Sequence, residues 1–330
     1  MKPTIAITIG DFNGVGPEII LKALSHVDLT TSTPLILAPK EVLDFYARKL
    51  SLKVEMNVCS YLDEIDTSYI NLLNFETDTL DINPGFQTEQ SGLISMNSIE
   101  LGIELTKAEI SQALVTAPIS KEAVNLAGFK IPGHTEFLAD KTDTESVLMM
   151  LVNDGLRVAL ATAHVPISKV SSAITESLIL EKLGLLHESL KKDFNITDPK
   201  IAVLGLNPHA GDGGVIGSEE IDTIVPALEK ASQSGLYAAG PFPADGFFGQ
   251  KLYKNYDAIL AMYHDQGLAP FKLLSFGSGV NFTAGLPIIR TSPDHGTAFD
   301  IAGFGKADES SFVQAYELAV DLANRRYETE

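Results

Sequence analysis

The chain has 330 residues, with 43 Asp and Glu against 24 Lys and Arg, a formal charge of -19 with histidine neutral. So acidic a field repels nucleic acid and anionic membrane surfaces, which excludes functions that rest on general positive charge. Hydrophobic residues at 45% and charged ones at 20% describe a folded globular chain, not a disordered one.

The length suits two domains or one large one. Cys59 is the only cysteine, so an intrachain disulfide and any zinc site built from several thiolates are excluded. The apolar run from Thr4 to Ile9 is too short for a signal peptide, and no stretch approaches the roughly 18 apolar residues of a membrane span. The expected location is the cytoplasm.

In chain order, the β-branched run 4–9 predicts a strand that stops at the glycine-rich turn GDFNGVGPE and leads into a helix over 19–24. Strand 34–38, helix 41–50 and strand 54–58 follow. The acidic stretch 61–86 reads as connecting structure. A helix over 91–111 then precedes strand 113–117, and further strands are expected at 156–162, 200–206, 256–262 and 286–289. A helix start is expected at Gly217-Ser218-Glu219. Short apolar runs alternating with amphipathic helices indicate an α/β protein with buried, largely parallel strands.

Three of these strands end in loops that open with a histidine: His164 in ATAHVPIS, His209 in LNPHAG and His264 in MYHDQG. In α/β folds chemistry collects beyond the carboxyl ends of strands. One such histidine commonly just holds its loop, but three together point to a divalent metal site with an open position for substrate. Asp212, Asp245 and Asp265 are nearby carboxylates that serve as further ligands, as bases or as hydrogen-bond support. Glycines 10, 14 and 16 do not have the G-x-G-x-x-G spacing, and no G-K-[ST] follows, so the dinucleotide fingerprint and the P-loop are both absent. The segment HAGDGGVIGSEE offers free backbone amides for a phosphate or carboxylate. In a chain poor in cations, Lys272 and Arg290 beside glycine-rich loops resemble an anion clamp. Asn281 lies between them in sequence, and Asp294, His295, Gly296, Thr297 and Asp300 form a dense polar wall suited to a nucleotide or substrate.

The motifs GDFNGVGPE, VTAPISKEAV, GHTEFLAD, ATAHVPIS, LNPHAGDGGVIGSEE, GPFPADGFF, MYHDQGLAPFK and VNFTAGLPIIRTSPDHGTAFDIAG, in that order, resemble the PdxA family of the pyridoxal phosphate pathway over nearly the whole chain. The last is also similar to the HG-x-A-x-DIAG element of isocitrate and isopropylmalate dehydrogenases. The resemblance implies that two-domain, non-Rossmann α/β fold with a cleft between domains. Residues 1–128 with 276–330 would form the terminal domain that contributes to NAD binding. Residues 129–275 would form an insert with the metal motifs and the dimer interface.

It further implies NAD- or NADP-linked oxidation of 4-phosphooxy-L-threonine, followed by decarboxylation. Substrate binding would fall to His134, Thr135, Lys272, Asn281 and Arg290, with Asp245, Lys272 and His134 in catalysis. Asn281, Asp294, Gly296 and Thr297 would hold the cofactor. His164, His209 and His264 would hold one Zn, Mg or Co ion, the last reaching across a homodimer with shared active sites. Pyridoxine 5'-phosphate synthase is the implied pathway partner. Phe12 departs from the Pro common in the family after Gly-Asp and is expected to reshape the cleft wall. Alternatives left open are a related dehydrogenase of another phosphorylated or sugar-acid substrate, a metal-dependent aldolase-like or hydrolytic enzyme, and a non-redox anion-binding protein.

Overall fold

The computed structural model describes residues 2–77, 79–131 and 133–327. The chain divides into two compact units, residues 1–145 with 286–330 (unit 1) and residues 146–285 (unit 2). In unit 1, β1 (Thr4–Thr8), α1 (Gly16–Leu24), β2 (Thr33–Leu37), α2 (Lys40–Leu50), β3 (Met56–Cys59), β4 (Ile70–Leu73), α3 (Glu89–Lys107), β5 (Ala113–Thr116), α4 (Lys121–Leu126) and α5 (His134–Lys141) follow one another. Unit 2 contributes β6 (Leu148–Asn153), β7 (Leu156–Leu160), α6 (Ile167–Ala173), α7 (Glu176–Lys192), β8 (Ile201–Leu204), α8 (Val225–Gln233), β9 (Ala238–Phe242), α9 (Ala244–Gly249), β10 (Ala258–Ala261), α10 (His264–Ser275) and β11 (Val280–Ala284). The chain returns to unit 1 for β12 (Arg290–Pro293) and α11 (Ser310–Tyr327).

The strands of unit 1 lie in the order β3-β4-β2-β1-β5-β12, and every neighbouring pair is parallel. Their sequences are near-continuous apolar runs because helices cover both faces of such a sheet. α3 lies close against the sheet because Gly102 has no side chain: a Cβ there would come within 2.6 Å of Leu114. Ser98 on the same helix donates to Leu37 O and accepts from Ile9 N, so its hydroxyl is satisfied inside the core. In unit 2 the order is β11-β6-β7-β10-β8-β9. The β7, β10, β8 and β9 neighbours are parallel, while β6 runs antiparallel to both β11 and β7. Phe247, Phe271, Leu204 and Ile259 are among the side chains that fill its core.

The expected α/β class is the observed one, with local differences. The stretch 61–86, read as connecting structure, contains β4, whose four residues are all buried between acidic loops. The strand expected at 286–289 instead begins at Arg290. Residues 129–145 lie in unit 1, where Lys141 pairs with Glu100 at 2.7 Å and Lys107 donates to Lys141 O, tying α5 to α3. Residues 276–285 lie in unit 2, because β11 pairs with β6 there.

The first loop folds around a buried carboxylate. Gly10 has φ +67°, and a Cβ on it would lie 2.4 Å from Pro118 O, so both conformation and space demand glycine. Asp11 accepts bonds from Asn13 N at 3.0 Å and Ser91 Oγ at 3.1 Å. Phe12 is 0% exposed and its carbonyl accepts from the Tyr46 hydroxyl at 2.8 Å. Its side chain therefore packs inside unit 1 and is no part of a cleft wall, contrary to the expectation from sequence. A large apolar ring gains more from full burial than from facing a polar cleft.

Burial pushes the Asp11 carboxyl up to about 6, against the opposing bonds from Asn13 and Ser91. The native state thus keeps a proton that the unfolded chain releases near pH 4. Stability from this group is complete below the unfolded value and is lost as pH rises through about 6, by about 3 kcal/mol. Asp11→Asn is expected to gain stability relative to wild type between pH 4 and pH 7, read from urea midpoints at both values. Parallel behaviour of the two proteins would contradict this assignment.

Candidate active site

Unit 2 gathers the histidine loops. β7, β10 and β8 are adjacent and parallel, so the loops after them emerge at one edge of the sheet. Thr162 donates through Oγ1 to Met262 O at 2.7 Å, joining the loop after β7 to the loop after β10. As a result the His164 and His264 rings stand 6.1 Å apart, centre to centre, although 100 positions separate them in sequence. His264 opens α10, and its Nδ1 lies 2.6 Å from Asp265 Oδ1. A carboxylate on Nδ1 orients the ring and leaves Nε2 for a ligand, the usual support for a metal-binding imidazole.

His209 opens a left-handed turn. Residues 209 to 213 have φ between 45° and 80°. Three of the five, His209, Ala210 and Asp212, carry side chains, and each costs about 1–2 kcal/mol in that conformation. Strain of this size at an exposed, histidine-bearing loop marks a segment held for a purpose. Among the described residues no group of three or more His, Cys, Asp or Glu stands together as a metal-binding cluster. Imidazole nitrogens such as those of His164 and His264 have the donor chemistry that fits a borderline divalent ion.

The other unit 2 candidates are dispersed over separate elements. Asp245 is exposed in the first turn of α9. Lys272 is exposed in the last turn of α10, where its charge complements the helix C-terminus, and not in a loop. Asn281 sits in β11 with its Oδ1 buried and without a hydrogen-bond partner. An orphan acceptor of that kind is costly unless a ligand supplies a donor.

Unit 1 holds a buried cation beside a neutral imidazole. Arg290, 2% exposed, donates through Nε and Nη2 to the hydroxyl of Thr116 at 3.0 and 2.7 Å. Burial lowers its guanidinium to about 10, so it stays charged at pH 7. His134 opens α5; burial first, and the Arg290 charge second, hold its ring well below the usual histidine range. The residue as a whole is half-buried, but Nε2 is buried and unpartnered. A neutral imidazole next to a guanidinium is a receptor for an anion: one cation, one ring N–H, and Thr135 in the same helical turn.

Further along unit 1, Thr297 O accepts from Val15 N at 2.9 Å and Asp294 N donates to Ser311 Oγ at 2.9 Å. These bonds fix the segment that contains Gly296 against the first loop and α11. His295 lies among them with Nε2 buried and unpartnered. A cavity of about 530 Å³ between α1 and α11, lined by Leu24, Val313, Tyr316 and Glu317 among others, includes none of these residues. Sequence reasoning missed Asn207, Glu220 and Gln266, which brace the histidine loops. The acidic pair after the glycine run was the available signal, read only as a helix start.

The family model for the pyridoxal phosphate biosynthetic protein PdxA matches residues 30–319. A 4-hydroxythreonine-4-phosphate dehydrogenase of Bacteroides thetaiotaomicron is 42% identical over 98% of this chain and 90% of its own. A protein of Oceanobacillus iheyensis, provisionally named D-threonate 4-phosphate dehydrogenase, is 41% identical over 98% of both. Among solved structures, 4-hydroxythreonine-4-phosphate dehydrogenase of Klebsiella pneumoniae superposes with a TM-score of 0.89 at 37% identity, covering 98% of this chain and 100% of that one. A family match across most of the sequence, joined to the same fold and identities near two-fifths over almost its full length, makes this chain a member of the PdxA family.

Proposed function

We propose that the protein oxidises 4-phosphooxy-L-threonine at its secondary alcohol, with NAD or NADP, to 2-amino-3-oxo-4-phosphooxybutanoate. This β-keto acid loses carbon dioxide and leaves 3-amino-2-oxopropyl phosphate, an intermediate of vitamin B6 biosynthesis that pyridoxine 5'-phosphate synthase consumes. The observation that carries this reading is the buried Arg290 guanidinium beside a neutral His134, a preformed anion receptor in an otherwise strongly acidic chain. The near-full-length relatives of that name support it.

The substrate has two anionic ends. Arg290 binds the carboxylate through its planar fork, and Lys272, His134 and Thr135 bind the phosphate. Asp245 takes the hydroxyl proton as the carbon gives up hydride, a role that its exposed carboxylate suits. Asp294, Gly296 and Thr297 hold the dinucleotide, and Asn281 offers its open Oδ1 to a donor on the cofactor or substrate. Nicotinamide, when bound, accepts the hydride. A divalent ion (Zn, Mg or Co), when bound, supplies positive charge that favours alkoxide and enolate character. His164, His209 and His264 of the partner subunit would hold that ion. One carbon dioxide released per NADH formed is the expected product ratio, and NADH without carbon dioxide would confine the reaction to the oxidation.

Assembly as a homodimer follows from the shared site, and unit 2 leaves large apolar side chains in solvent: Phe276 is 92% exposed, Val215 81% and Leu273 74%. Such exposure favours an interface. Dissociating inactive His264→Ala and His209→Ala proteins and reassociating them together should create hybrids in which one site carries both defects and the other none. About a quarter of wild-type activity is expected from random pairing. Hybrids verified by an isotope label on one of the two parents that show no recovery would exclude shared sites.

A second reading has a specific support. The relative provisionally named D-threonate 4-phosphate dehydrogenase is as similar as several of the others, and its named substrate places a hydroxyl where 4-phosphooxy-L-threonine has its amine. The anion receptor suits both compounds.

A further inference from the structure

We propose that Glu220 and Asn207 are positioning residues for His209: they form a clasp that holds the left-handed turn in place and so set how tightly a divalent cation is bound. The inference rests on the reading of His209 as a metal-binding residue and adds what holds it there. The left-handed turn carrying His209, Ala210 and Asp212 is strained, and its internal bonds, among them Ala210 N to Asn207 O at 3.1 Å and Ile216 N to Gly211 O at 3.0 Å, are joined by bonds from outside the turn.

Glu220 supplies the rest. Its carboxylate is 3% exposed and accepts twice from one residue: Asn207 N reaches Oε1 at 2.7 Å, and Asn207 Nδ2 reaches Oε2 at 2.9 Å. The same Nδ2 donates to Glu219 Oε2 at 2.7 Å, and Ser171 of α6 donates to Glu219 Oε1 at 2.7 Å. The loop closes on the carboxylate from both sides. A Cβ at Gly211 would come within 2.6 Å of Glu220 Oε2, and one at Gly205 within 3.2 Å of Oε1. Charge-assisted bonds in so enclosed a place fix the backbone on either side of His209.

The clasp reaches the other histidines. Gln266, two residues after His264, accepts from Met262 N at 2.7 Å and donates to Gly205 O at 2.6 Å, bridging the ends of β10 and β8. Ser171 lies on the helix that follows the His164 loop. The bonds of Gln266 to Gly205 and of Ser171 to Glu219 thus tie the elements that follow His264 and His164 to the segments beside the clasp.

The test titrates metal-stripped, full-length protein with Co²⁺ alone, reading the visible absorption of the bound ion, and follows amide exchange of residues 208–217. In Glu220→Ala, Co²⁺ affinity is expected to fall about 10- to 100-fold, the usual range for a supporting group, and the turn should exchange faster. Glu220→Gln keeps an oxygen for Asn207 N and should lie between the two. Asn207→Ala keeps the backbone bond and loses both Nδ2 bonds; it should shift both readouts in the same direction, and it decides the matter where Glu220→Ala does not fold. In His209→Ala the absorption should be lost while exchange stays as in wild type. Faster exchange with wild-type Co²⁺ affinity, or unchanged exchange, in the clasp variants would overturn the proposal. Wild-type Co²⁺ binding by His209→Ala would instead defeat the metal reading, and the inference with it.

Discussion

Replacing His209 by Ala is expected to remove bound divalent metal and turnover together, each by at least about 100-fold, since losing a ligand costs more than losing a supporting partner. The fold should survive. The imidazole is exposed at the end of a loop and contributes nothing to the core of unit 2, so stability should change by less than about 1 kcal/mol. Metal content by mass spectrometry and activity under saturating substrate are the two measurements. A variant with wild-type metal and wild-type turnover would remove His209 from the site. One with wild-type metal and low turnover would give the histidine a role in substrate handling instead.

The second large effect concerns the anionic ends of the substrate. Losing one charge-assisted contact costs about 1.5–3 kcal/mol, roughly a factor of 10 to 100 in binding. Lys272→Ala should therefore erase most of the preference for phosphorylated over non-phosphorylated 4-hydroxythreonine, measured as kcat/KM, and leave NAD affinity nearly unchanged. Because Lys272 is exposed, it can be removed without harm to the fold.

Arg290 is different: it is buried, so Arg290→Ala would also leave a hole and strip the Thr116 hydroxyl of its donors. Arg290→Lys keeps the charge and loses the planar fork, and it should damage both substrates alike by about 10- to 100-fold. An unchanged phosphate preference in Lys272→Ala, or a loss confined to the phosphorylated substrate in Arg290→Lys, would reverse the assignment of the two ends.

The strands of the first half could be read from sequence because each is a short, β-branched or apolar run closed by glycine or proline, as at 4–9 and 113–117. β4 could not, since three apolar residues and an asparagine among acidic loops carry no period that separates a buried strand from a turn. β6 was hidden for another reason: it pairs antiparallel with β7 and β11, and the alternation expected of parallel units says nothing about it. The histidines were legible one by one as loop residues at strand ends. That His164 and His264 stand together depends on β7 lying beside β10, a neighbourhood that sequence order does not reveal.

The electrostatics were less visible still. Arg290 reads as a strand-end cation, but its burial, and the burial of His134 that with the Arg290 charge keeps that ring neutral, come from packing between segments more than 150 positions apart. The glycine run after His209 signalled an unusual turn. Its left-handed course through His209 and Ala210 is held by the Glu220 carboxylate, whose bonds to Asn207 a linear reading does not show, although the helix start expected at Gly217-Ser218-Glu219 lies beside it. Phe12 shows the reverse error, a motif departure read as a change to the cleft that proves to be a core residue.

The most direct test is a comparison of NADH formation from 4-phosphooxy-L-threonine and from D-threonate 4-phosphate, each with metal-loaded protein, with chelator, and after metal is restored. The proposed function requires kcat/KM at least about tenfold higher for 4-phosphooxy-L-threonine, the discrimination available to a site that binds the amine rather than a hydroxyl. It also requires loss of activity with chelator and recovery with Zn²⁺, Mg²⁺ or Co²⁺. Faster oxidation of D-threonate 4-phosphate would contradict the substrate, and neither NADH nor NADPH from either compound with metal-loaded protein would contradict the dehydrogenase reading itself.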